Sequence, residues 1–69
     1  MADKYIKDKF GTPIGFTRDI GNEVQAFHIM KGLVGRYVKS SDITFTIKGE
    51  IYCFGDGSSD LVREAERNK

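Results

Sequence analysis

The side chains able to do chemistry in this chain are few: one histidine, His28, one cysteine, Cys53, and an aspartate, Asp8, at a related place in the sequence. A nucleophilic site built on them needs a thiolate, a base to take its proton and a carboxylate to orient the base. Histidine is the side chain that ordinarily titrates near neutrality, so His28 is the one candidate base. Its surroundings argue for a plainer role. Cys53 stands between Tyr52 and Phe54, an aromatic setting that hides a thiol inside a core. His28 reads better as a histidine partly buried between hairpins with its hydrogen bond satisfied. No catalytic residue is assigned, and no enzyme is expected.

Cofactor and metal chemistry find no better footing. With one cysteine and one histidine there is neither an internal disulfide nor a zinc-type spacing. Asp56, Asp60, Glu64 and Glu66 lack the order of a calcium loop, and Gly57 falls out of register for one. The glycines spell neither a phosphate loop nor a dinucleotide fingerprint, so turns and bulges account for them. No cofactor and no metal are expected.

Binding is the more open question, and Tyr5, Lys7, Lys9, Arg36, Tyr37 and Lys39 are the candidate residues. If Tyr5, Lys7 and Lys9 share a face, Arg36 and Tyr37 extend it as a basic, aromatic surface of the kind that binds single strands. Lysines along a strand edge also guard against edge-to-edge aggregation, and that reading is preferred. A net charge of +1, from 11 basic and 10 acidic side chains, gives no composition-level reason to expect a phosphate-bound protein.

These residues must be positioned by strands. Ile6 to Arg18, Ala26 to Val38 and Ile43 to Gly55 align as a degenerate repeat, at offsets of 20 and 17 residues. Three columns are apolar in every copy: Ile6/Ala26/Ile43, Phe10/Met30/Ile47 and Ile14/Val34/Ile51. A glycine marks each turn, as Gly11, Gly32 and Gly49, so each unit reads as strand, tight turn, strand. Val, Ile, Thr, Phe and Tyr dominate the flanks, and Ile43 to Ile47 alternates strictly. The expected fold is all-β, a meander of antiparallel hairpins, with a short C-terminal helix. It forms a single domain over 1–69, with a β body at about 4–55, a loop at 55–60 and the helix at about 60–67. Leu61, Val62 and Ala65 are the helix's docking candidates.

The first unit, through Asp8, Gly11, Ile14 and Gly15, resembles the repeat of small bacterial five-fold beta-flower proteins, in which an Asp precedes a Gly by three residues and Ile-Gly follows. His28 and Lys31 hold the Asp and Gly places in the second unit, while Phe45 and Lys48 hold them in the third. The resemblance implies an all-β body of hairpins and brings no catalytic chemistry.

At 69 residues the core must be thin, and scaffolds of this size usually need staples or self-association. One face of a thin sheet cannot cover Tyr5, Phe16, Phe27, Tyr37, Phe45, Tyr52 and Phe54, so some of them must lie on the second face. The expected function is a non-enzymatic protein-interaction module that pairs with itself, as a homo-oligomer, or with a larger protein. Two alternatives stay open: an inhibitor of a host machine of the phage or mobile-element type, and a nucleic-acid-binding module. Met1 to Lys4 does not resemble a signal peptide and no apolar run approaches a membrane span, so a cytoplasmic protein with no membrane partner is expected.

Overall fold

The structure is a computed structural model that describes residues 2–68. Six strands follow one another: β1 (Ala2–Lys7), β2 (Pro13–Asp19), β3 (Glu23–His28), β4 (Gly32–Val38), β5 (Ile43–Thr46) and β6 (Ile51–Phe54). Each pairs antiparallel with the next in a single sheet of order β1 to β6. A helix, α1 (Ser58–Arg67), packs against β2, β3 and β4. The fold is therefore all-β with one short helix, as the strand alternation and turn spacing predict.

The repeat is visible as one local device used three times. In the first hairpin Asp8 Oδ1 accepts from the amides of Phe10 (2.9 Å) and Thr12 (3.0 Å), and Gly11 takes φ +84°, where a side chain would be strained. In the second, His28 Nδ1 accepts from the amides of Met30 (3.1 Å) and Lys31 (3.2 Å). In the third, Thr46 Oγ1 accepts from the Glu50 amide at 3.2 Å. The second strand of each of these three hairpins then carries a bulge: register shifts leave Ile14, Val34 and Tyr52 without a direct partner on the first strand of the same hairpin. Each of these extra residues packs into the core or against it.

Hydrogen bonding thus aligns the third unit one residue later than its apolar columns suggest. Thr44, Thr46 and Tyr52 correspond to Ile6, Asp8 and Ile14, while Ile43 and Ile51 turn to the opposite side of the sheet. Because side chains alternate along a strand, a one-residue slip exchanges the two faces.

The core lies between sheet and helix and consists of Ile6, Ile14, Ala26, Leu61 and Val62, with Val34 and Tyr52 against it. The helix sits close to the sheet because two strand positions beneath it have no side chain. A Cβ on Gly15 would lie 2.6 Å from Val62 Cγ1, and one on Gly35 would lie 2.5 Å from Leu61 Cδ1. Ten residues make a marginal helix in isolation, so this docking supplies much of its stability. Asp56 Oδ1 accepts from the Ser58 amide and hydroxyl at the helix start, while Asp60 and Arg67 suit the helix dipole at its two ends.

Two fully buried polar side chains complete the helix-bearing side. Thr44 is fully buried, and its hydroxyl donates to Gly55 O (2.6 Å) while accepting from the Gly57 amide (2.8 Å). His28 is equally enclosed, and Nε2 lies 3.0 Å from Glu66 Oε1. With Nδ1 already accepting two amides, the neutral ring carries its proton on Nε2 and donates it to the glutamate. Among the described residues no buried side-chain nitrogen or oxygen lacks a partner.

Candidate interaction face

The helix covers one side of the sheet and leaves the other without a second layer. The register builds the rows on that side. Tyr5 opposes Phe16, Phe16 opposes Phe27 and Phe27 opposes Leu33, while Asp3, Arg18, Gln25, Arg36 and Phe45 form the next row. Val38, Ile43 and Phe54 follow towards β6.

The aromatic row is ordered by its own contacts. Phe16 and Phe27 stack with centroids 4.8 Å apart and planes inclined by 14°, and Tyr5 leans on Phe16 at 5.7 Å. The guanidinium of Arg18 lies 5.4 Å from the Phe16 centroid and 5.6 Å from that of Phe27. Its other partner is Asp3, bound through two hydrogen bonds of 2.9 and 3.1 Å. Those bonds hold the Asp3 carboxyl below its usual pKa and the Arg18 guanidinium above its own. Arg36 faces Glu23 at 3.9 Å. Both arginines of this face therefore have a carboxylate beside them.

Much apolar surface stays in water here. Tyr5 is 64% exposed, Ile51 57% and Phe54 78%. Tyr5 lies on β1 and Ile51 and Phe54 on β6, at the two edges of the same side of the sheet.

The six residues singled out from the sequence divide among four places. Tyr5 and Arg36 lie on the open face. Tyr37, next to Arg36 on β4, points to the opposite side, opposes the buried Thr44 and donates its hydroxyl to Asp42 Oδ1 at 2.6 Å, which raises its pKa. Lys7 and Lys9 flank the first hairpin turn. Lys39 is at the other end of the sheet, with Nζ 2.9 Å from Asp19 Oδ2, an ion pair that lowers the Asp19 pKa. Sequence reasoning missed Arg18, Phe16 and Phe27 as the centre of the face. Their signal was the alternation Phe16-Thr17-Arg18 facing Gln25-Ala26-Phe27, legible only once the β2–β3 register is fixed.

The nucleophile candidates do not come together as a working set. Asp8 and His28 each turn an acceptor back onto their own hairpin, and the His28 proton goes to Glu66. Cys53, half-buried, is packed against Gly57, where an added Cβ would collide with its sulfur. Among the described residues no group of three or more His, Cys, Asp and Glu side chains is placed to hold a metal ion, and no helix is long and apolar enough to cross a membrane.

Compared with family models, curated proteins and solved structures, the chain matches none. What the fold and the face define is a class: a small antiparallel meander, helix-backed on one side, with an ordered aromatic surface on the other.

Proposed function

We propose that this is a non-enzymatic protein-interaction module whose helix-free sheet face packs on a protein surface, in the first instance the same face of a second copy. The observation that carries the reading is the Tyr5–Phe16–Phe27 row, exposed at Tyr5 and flanked by Arg18. Aromatic residues and arginine are the types enriched where interfaces draw their affinity. The chain's two longer extents are 34 and 25 Å, so the face offers roughly the 800 Å² per partner of a standard interface. Sheets packed face to face bury such rows between them, and a two-fold axis would make the patch its own complement.

Charge supports a protein partner over a nucleic acid. A single strand would use the same stacked rings, but its phosphates call for uncompensated cations, and Arg18 and Arg36 each stand beside a carboxylate. Paired charges of this kind favour a partner that presents its own complementary charges, as a protein surface does.

Sedimentation velocity over a dilution series tests this. The wild-type chain is expected to pass from dimer to monomer on dilution, and Tyr5→Glu to stay monomeric with an unchanged far-UV spectrum. A wild-type monomer at every concentration would remove the homotypic reading.

A further inference from the structure

A second apolar surface lies away from the open face, along the tips of the three hairpins. Phe10 is 80% exposed, Met30 82% and Ile47 58%, each at the turn of its own hairpin. Ile29, beside Met30, is 64% exposed. A meander places these three turns at the same end of the sheet. The tips are tied to the strands beside them, Ile29 N–H donating to Ile14 O (2.9 Å) and Ile47 N–H to Val34 O (3.1 Å). The register sets each turn back from the one before, so the tips step obliquely across the sheet end.

Every tip also carries a lysine next to its apolar residue: Lys9 by Phe10, Lys31 by Met30 and Lys48 by Ile47. Lys9 Nζ lies 5.3 Å from the Phe10 ring centroid. Among the described residues none of the three lysines has an ion pair. Of the nearby carboxylates, Asp8 is turned onto two backbone amides and Glu66 onto His28, while Glu50 stands exposed. At the far end of the sheet the basic side chains Arg18 and Lys39 are instead held in ion pairs, with Asp3 and Asp19.

We propose that the hairpin tips form a docking edge for an anionic lipid surface, with Phe10, Met30 and Ile47 entering the headgroup boundary and Lys9, Lys31 and Lys48 meeting lipid phosphates. Apolar insertion combined with basic side chains is the two-part signal that reversible interfacial binding requires. Tip-to-tip pairing of two copies would oppose lysine to lysine. This edge is separate from the sheet face, and its binding needs no dimer.

The test is flotation of the full chain with vesicles of phosphatidylcholine alone or of phosphatidylcholine with phosphatidylglycerol. The wild type is expected to float with the anionic vesicles only, and less so at high salt. The triple variant Phe10→Ser, Met30→Ser, Ile47→Ser, all at exposed turn positions, should lose roughly tenfold or more in partitioning. Each of Lys9→Gln, Lys31→Gln and Lys48→Gln should cost about fivefold. Tyr5→Glu should float as wild type does, which separates this proposal from the open-face reading. Absence of the wild type from the anionic vesicle fraction would overturn it. So would a folded triple-serine variant that floats undiminished, or loss of flotation on Tyr5→Glu.

Discussion

His28 stands one hairpin after Asp8 and does the same work: its Nδ1 accepts from the amides of Met30 and Lys31 as the Asp8 carboxylate accepts from Phe10 and Thr12. The difference is that the imidazole also reaches the helix, through Nε2 and Glu66. One side chain thus closes a turn and fastens α1 over the sheet. Replacing it with alanine leaves a cavity and two turn amides without their acceptor, an expected loss of about 2–4 kcal/mol in chemical unfolding. His28→Asn keeps a turn acceptor and is expected to recover about 1 kcal/mol of that. Equal stability of the two variants would mean that Nδ1 contributes nothing to the turn.

Gly15 and Gly35 should tolerate no side chain. An added Cβ collides with a backbone oxygen as well as with Val62 or Leu61, so neighbouring rotamers cannot relieve it. Gly15→Ala and Gly35→Ala are each expected to cost about 2 kcal/mol or more, seen as a lowered denaturant midpoint. Alanine at either position with wild-type stability would show that the helix does not sit this close.

Thr44→Val keeps the shape of the side chain and removes the hydroxyl between Gly55 O and the Gly57 amide. The buried amide then has no acceptor, and about 1–3 kcal/mol of stability should go with it. Amide exchange at Gly57 should rise in the same variant; an unchanged rate would argue against the bond.

Acid should weaken the protein through Asp3 and Asp19, whose folded pKa values are depressed by Arg18 and Lys39. The stability gained from a depressed carboxyl is present above its unfolded pKa and is lost as pH falls through the folded one. Stability of wild type and Asp3→Asn, followed at low salt as pH is lowered, should therefore converge. Both groups are solvent-exposed, so added salt should shrink the gap. A gap independent of pH would contradict the ion pair.

Much of this was legible in the sequence, though not evenly. The glycine-marked turns at Gly11, Gly32 and Gly49 gave three hairpins, and Leu61 and Val62 gave the docking side of the helix, because local chemistry fixes both. The third repeat slipped by one residue because Ile43, Ile47 and Ile51 imitate the apolar columns of the first two units. Threonine does there what isoleucine and aspartate do in the first: Thr44 is fully buried and Thr46 caps the turn. Hydropathy cannot reveal a hydroxyl that is buried because both its bonds are made. Tyr37 was placed beside Arg36 on one surface, whereas strand alternation sends neighbours to opposite faces. Phe16 and Phe27 count among the aromatics too many for one face, but their place beside Arg18 depends on strand register, which composition does not encode.

The open face as an interface is the central claim, and aromatic ring resonances followed on dilution test it most directly. Tyr5, Phe16 and Phe27 signals should move with protein concentration, and at high concentration a soluble paramagnetic agent should leave them unbroadened, while Ile6 and Val62 inside the monomer stay fixed. Ring signals that hold still on dilution and are bleached by the agent at every concentration would contradict the account.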